Sequence, residues 1–124
     1  MIWALLFVLL LACLTIFQIA LVMGAPLGRF TWGGQHPGSL PPRMRYAAAS
    51  SVLVYAAMAV VALDRSGIAE LVPDTVSTVG IWIVFAFCVL GAVPNAISRS
   101  RGERYVMTPT SVALAVLALL VALT

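Results

Sequence analysis

The sequence contains no lysine, and only four of its 124 residues are acidic. Charged residues make up 9% of the chain and apolar residues 63%. A soluble domain usually has about 25% charged and about 45–50% apolar residues. This composition argues against a soluble globular domain and against a disordered tail. Because the net charge of +3 sits on so apolar a chain, it favours an oriented membrane protein over a nucleic-acid binder.

Cysteine and histidine are also scarce, which limits the chemistry that the chain can carry. The two cysteines, Cys13 and Cys88, lie in apolar stretches and form no disulfide framework. The single histidine, His36, supplies neither a pair of haem ligands nor a Cys/His metal cage. No carboxylate falls within a predicted span, which argues against a proton-coupled transporter with an acid in the membrane. We therefore expect no catalytic residues, no metal site and no cofactor.

Four long apolar stretches predict an all-α fold with four transmembrane helices. They cover residues 2–23, 46–63, 76–93 and 106–123. A spanning helix needs about 20 predominantly apolar residues, and the first stretch contains no charge. A signal peptide is the competing interpretation of that stretch, but it would have a basic start and a shorter apolar run. We predict a single domain, residues 1–124, built from two antiparallel hairpins.

The loops between these spans differ in charge. Loop one, residues 24–45, and loop three, residues 94–105, together hold six of the seven arginines. Loop two, residues 64–75, holds three of the four acidic residues and one arginine. The positive-inside rule then puts loops one and three in the cytoplasm and both termini outside. The sequence thus predicts a multi-pass protein of the cytoplasmic membrane.

The two hairpins share a plan. Each contains a helix that ends in Gly-Ala and a proline, an arginine-rich loop, and a return helix that opens with Arg-Tyr. The matching segments are 24–26 with 91–94, and 45–46 with 104–105. Few other identities accompany them. A parallel repeat and the convergence of two similar hairpins therefore both stay open.

Small residues recur at helical spacing and predict the faces that pack inside the bundle, since small side chains let helices approach closely in lipid. These faces are Ala4, Ala12, Thr15 and Gln18 on the first helix, Gly80, Val84, Phe87, Gly91 and Asn95 on the third, and Ser111, Ala115, Ala118 and Ala122 on the fourth.

Polar residues within the spans cluster toward the end of the bundle that carries loops one and three. They are Gln18, Ser50, Ser51, Asn95, Ser98, Thr108, Thr110 and Ser111. Polar groups in lipid face the bundle interior or a water-filled cavity. The pattern predicts a polar vestibule that is open to the cytoplasm. The alternative is that these groups bond to nearby carbonyls and only hold the helices together.

Loop one is the most informative segment because of its length. It has 22 residues, whereas connections between bundled helices usually have only about 2–8. Gly33 and Gly34 permit positive φ angles and expose backbone N–H groups. Arginine binds phosphate and carboxylate through two parallel hydrogen bonds. We predict a ligand site for an anionic headgroup or solute, formed by Arg43, Arg45, Arg99 and Arg104 beside Gln18 and Asn95. The alternative is that these arginines only set the topology and contact lipid phosphates.

Two stretches of the chain resemble the loops of a widespread group of small four-helix bacterial membrane proteins. They are Gly24-Ala25-Pro26-Leu27-Gly28 with Gly33-Gly34 and Leu40-Pro41-Pro42-Arg43-Met44-Arg45, and Asn95-Ala96-Ile97-Ser98-Arg99-Ser100 with Glu103-Arg104. The resemblance extends over nearly the whole chain and implies a four-helix topology. It implies no activity.

Two functions are compatible with these features. The first is a binding or transport module whose arginine-rich vestibule takes an anionic or lipid ligand. The second is a non-catalytic accessory subunit of a larger membrane complex, which the small size and the absence of coupling acids favour. Membrane lipids are the expected partners, together with a second copy of the chain in a homodimer, and no nucleic acid is expected.

Overall fold

The computed structural model describes residues 1–124 and confirms the all-helical, four-helix fold. Helix α1 covers Ile2–Val22, α2 covers Pro42–Arg65, α3 covers Asp74–Ala96 and α4 covers Thr108–Leu123. A π-helical turn, Glu103–Met107, leads directly into α4. With that turn included, each of the four helices is long and apolar enough to cross a membrane. The chain therefore has the architecture of a multi-pass membrane protein.

Helices α2 and α3 extend beyond the predicted spans at both ends, and the π-helical turn extends the fourth span at its start. Helix α2 begins at Pro42, whose fixed φ and missing N–H suit the first turn of a helix. Arg43 and Arg45 therefore belong to α2 and not to loop one. In the same way, Asp64 and Asp74 lie within α2 and α3. Hydropathy marks the hydrocarbon-crossing part of a helix, whereas the helical hydrogen bonding continues into the polar flanks.

Helices that follow one another in the chain pack as antiparallel neighbours, and α1 also contacts α4, which closes the bundle. The main apolar core includes Phe7, Ala62, Ile81 and Val121 and lies toward loop two. A smaller cluster, Leu21, Leu40, Met44 and Ala48, lies where loop one returns into α2. We call the end of the bundle that carries loops one and three the arginine-rich end.

The outer faces of the bundle are apolar. Large exposed side chains occur on every helix, among them Leu9, Leu53, Leu90 and Val116. Contiguous apolar surface on this scale is unfavourable in water and suits a hydrocarbon environment. Burial inside the bundle is correspondingly confined to one narrow stripe per helix.

The predicted packing face is confirmed for α4 and only in part for α1 and α3. Ala4 and Gln18 of α1 and Val84 of α3 are buried, whereas Phe87 and Gly91 of α3 are exposed. On α4, Ala115, Ala118 and Ala122 are buried. On α1, Ala12 is exposed. The buried stripe of α1 consists of Ala4, Phe7, Leu11, Leu14, Gln18 and Leu21. Large apolar residues therefore fill the contact made by α1, and small residues allow the close approach made by α4.

Candidate functional site

A cavity of about 420 Å³ lies between the helices at the arginine-rich end. Its volume falls within the range of about 300–1,000 Å³ that is typical of small-molecule sites. All four helices and loop one contribute to the lining. Its polar side chains are Gln18, Thr31, Ser50, Ser51, Tyr55, Asn95, Glu103, Thr110 and Ser111. The rest of the lining is mainly apolar and includes Leu14, Met58 and Leu114.

Loop one covers the cavity. Its residues Phe30, Thr31 and Trp32 are part of the lining. The ring of Phe30 packs edge-to-face against that of Phe17 on α1, with 6.2 Å between ring centroids. Phe30 also rests on Gly102, where an added Cβ would lie 2.9 Å from the Phe30 ring. Loop one is thus held against both hairpins.

Glu103 connects loop one to the start of the fourth helix through hydrogen bonds. Its side chain is buried, and Oε2 accepts hydrogen bonds from the Gly33 N–H at 2.8 Å and from Ser98 Oγ at 3.0 Å. Trp32, Gly33 and Gly34 all have positive φ angles, of 53°, 65° and 76°. This left-handed turn aims the Gly33 N–H at the carboxylate.

Glu103 is not among the site residues predicted from the sequence. One signal was present: Glu103 is the only acidic residue in a segment with three arginines, Arg99, Arg101 and Arg104. Loop three also lies close to loop one at a second point, where Ser100 Oγ donates to the Arg29 carbonyl oxygen. The contact between the two loops depends on tertiary folding, which sequence spacing does not reveal.

Two amides join helices around the cavity. Gln18 Nε2 of α1 donates to the Tyr55 hydroxyl of α2 at 3.4 Å. Asn95 Nδ2 of α3 donates to Ser111 Oγ of α4 at 2.7 Å. Each amide therefore links the two helices of one hairpin, and both line the same cavity. The structure thus brings the two predicted amide residues together.

The lining hydroxyls of the helices bond mostly to their own backbone. Ser50, Ser51 and Thr110 donate to the carbonyl oxygen four residues earlier, at 3.1, 3.2 and 2.8 Å. The hydrogens of these hydroxyls are therefore used as the alternative interpretation predicts, in bonds to nearby carbonyls. Their oxygens keep lone pairs that can accept hydrogen bonds from another molecule.

The four predicted site arginines do not line the cavity. Arg43 and Arg99 are exposed. Arg45 Nε donates to the Leu40 carbonyl oxygen at 2.8 Å, and an added Cβ at Gly24, just after α1, would lie 3.2 Å from the Arg45 guanidinium. A cation near the end of α1 interacts favourably with the helix dipole. Arg45 therefore has a structural partner within the chain.

Arg104 also lies outside the cavity, with its guanidinium 5.0 Å from the centroid of the Tyr105 ring. The four arginines thus lie outside the cavity lining, whereas Gln18 and Asn95 are part of it. The predicted six-residue site is not assembled in one place. The charged side chain that does line the cavity is Glu103.

The cavity reaches the outer surface between α2 and α3. The lining residues Val54 and Phe87 are 41% and 52% exposed. Gly91 also lines the cavity, and an added Cβ there would meet no atom within 4 Å. Toward loop two the same helices approach closely, since an added Cβ at Gly80 would lie 3.2 Å from Val61. We call the opening between Val54, Phe87 and Gly91 the lateral portal.

Comparison of the chain with protein-family models, with curated proteins and with solved structures finds no match. No group of three or more His, Cys, Asp or Glu side chains is arranged to hold a metal ion.

Proposed function

We propose that the protein is a membrane binding module that holds the polar head of a lipid-like amphiphile in the cavity at the arginine-rich end. The observation that supports this proposal is the lateral portal, which opens between two apolar helices at Val54 and Phe87. A ligand can place its head among the polar groups of the lining while its hydrocarbon chain stays in the bilayer. Loop one separates the bound head from bulk water.

The lining favours a lipid-like ligand over an anionic solute. The expected anion site depended on arginines, and no arginine lines the cavity. An anion inside would meet the Glu103 carboxylate without a compensating cation, which is unfavourable in a poorly solvated site. With Tyr55 included, 14 of the 23 lining residues are hydrophobic, and they suit the first part of a hydrocarbon chain.

Filling the lateral portal is expected to reduce ligand binding. Gly91→Leu adds a side chain at a position where a Cβ meets no atom within 4 Å, so we expect the variant to fold and to lose about tenfold in affinity for dodecanol. Dodecanol binding is measured by native mass spectrometry of the protein in a non-ionic detergent. Lipid that copurifies with the protein is measured in the same samples.

Val89→Leu is the matched control, because Val89 is exposed on α3 and does not line the cavity. Equal binding by wild type, Gly91→Leu and Val89→Leu would rule out the lateral portal as the ligand's path. Wild-type protein that binds neither dodecanol nor copurified lipid would contradict the binding module. The accessory-subunit role would then be the better explanation.

The orientation that we propose puts the arginine-rich end in the cytoplasm, because six of the seven arginines lie there. In a background without Cys13 and Cys88, a cysteine at Ser39 is expected to resist a membrane-impermeant maleimide added to intact cells. A cysteine at Glu70, in loop two, is expected to react. Both positions are exposed in the structure, so access is limited by the membrane. Labelling of the Ser39 cysteine from outside would reverse the orientation.

A further inference from the structure

The Glu103 carboxylate has no cationic partner in the chain, although six arginines lie at the same end of the bundle. Glu103 is 6% exposed. Oε2 accepts two hydrogen bonds, one from an amide and one from a hydroxyl, whereas no donor of the chain reaches Oε1. A buried carboxylate without a paired charge is unfavourable unless another molecule compensates it. A cation in the cavity would supply the missing partner.

The other polar groups of the lining also lack donors. Gln18 Oε1 and Asn95 Oδ1 accept no hydrogen bond from the chain, since only the NH2 group of each amide has partners there. The hydroxyl hydrogens of Ser50, Ser51 and Thr110 are already donated to helix carbonyls. The donors that stay free are the Tyr55 and Ser111 hydroxyls, the second hydrogen of Gln18 Nε2 and the indole N–H of Trp32. Free acceptors, which include Glu103 Oε1, outnumber these donors, so a ligand head that brings donors complements the lining.

We infer that the cavity selects an amphiphile with an ammonium head, which pairs with Glu103 and donates its N–H groups to the acceptors of the lining. An ammonium group carries three donors and no acceptor, which complements this lining. The hydrocarbon chain of the bound amphiphile extends through the lateral portal into the bilayer. This inference rests on the proposed function, since it names the ligand class of the same cavity.

The exposed arginines at this end of the bundle do not oppose this assignment. Arg43, Arg99 and Arg101 are exposed at the end of the bundle, where water and salt screen their charges. Glu103 is buried in the cavity lining, where few water molecules are present to screen its charge. At short range, a ligand head in the cavity therefore meets a negative group.

The test compares three probes with the same chain on the full-length protein in a non-ionic detergent. Dodecylammonium, dodecanol and dodecanoate differ only in the head, and native mass spectrometry gives their affinities. We expect dodecylammonium to bind about tenfold more tightly than dodecanol, with dodecanoate weakest. Glu103→Gln is expected to remove that tenfold advantage. The wild-type preference does not depend on how any variant folds.

Glu103→Gln removes the charge and keeps a carbonyl oxygen that can accept from Gly33 and Ser98, so the cover stays in place. Hydrogen exchange of residues 28–38 checks this point. Glu70→Gln is the control, because Glu70 is exposed in loop two, away from the cavity, and is expected to leave all three affinities unchanged.

The outcomes separate the inference from the proposed function. Equal affinities for the three probes, or tightest binding of dodecanoate, would overturn the ammonium assignment and leave the binding module standing. An ammonium preference that persists in Glu103→Gln would overturn the role of Glu103. Failure of all three probes to bind would overturn both the inference and the proposed function.

Discussion

Gly28→Ala is expected to displace loop one from the cavity and to destabilise the protein by about 3 kcal/mol, at the upper end of the usual cost of overpacking. Gly28 is buried, and its N–H donates to the Gly38 carbonyl oxygen at 3.0 Å. A Cβ at this position would lie 1.8 Å from the His36 carbonyl oxygen and 2.6 Å from that of Gly38. Both obstacles are backbone atoms, so no side-chain rotation relieves the clash.

Thermal unfolding in detergent measures the loss of stability, and hydrogen exchange of residues 28–38 reports the displaced loop. Gly38→Ala is the matched control, because a Cβ at Gly38 would meet no atom within 4 Å. That variant is expected to unfold within about 0.5 kcal/mol of the wild type. The close packing at Gly28 would be refuted if both alanine variants behaved alike.

The four helices could be predicted from the sequence because hydropathy and charge determine where a chain can cross lipid. The helix ends could not. Pro42 and Asp74 lie in polar flanks that look like loop by composition, yet both belong to the first turn of a helix. The preference of proline for the first position of a helix was visible in the sequence, and it indicates the start of α2 at Pro42 better than hydropathy does.

In the candidate site, too, the sequence predicted the local backbone conformation and not the tertiary contacts. The glycine pair was expected to have positive φ angles and to expose N–H groups, and Gly33 and Gly34 have φ angles of 65° and 76°. The Gly33 N–H, however, donates to the chain's own Glu103. Local geometry follows from residue type, whereas the identity of the acceptor depends on how loop three folds against loop one.

The arginines could not be placed from sequence for a related reason. Charge predicts which side of the membrane an arginine occupies, but not which way its side chain points. Arg45 interacts with the Leu40 carbonyl near the end of α1, and Arg65 donates to the Ala122 carbonyl oxygen at the end of α4 at 3.0 Å. Both arginines lie beside helix C-termini, where the helix dipole favours a cation.

Loop two depends on one carboxylate. Asp64 is 8% exposed and lies near the end of α2. Its Oδ2 accepts hydrogen bonds from the backbone N–H groups of Leu71 at 2.7 Å and Val72 at 2.9 Å. Hydrogen bonds to a charged group contribute about 1.5–3 kcal/mol each. These two bonds fix the path of the chain from α2 into α3.

Asp64→Ala is therefore expected to lower the unfolding temperature by several degrees, since water replaces only part of what the carboxylate supplied at this end of the bundle. Asp64→Asn keeps one side-chain oxygen as an acceptor and is expected to lower it by about half as much. Glu70→Ala is the control, because Glu70 is exposed in the same loop and its side chain makes no hydrogen bond. Thermal unfolding in detergent and hydrogen exchange at Leu71 and Val72 measure the three variants. Equal losses in Asp64→Ala and Glu70→Ala would mean that charge, and not the two hydrogen bonds, stabilises loop two.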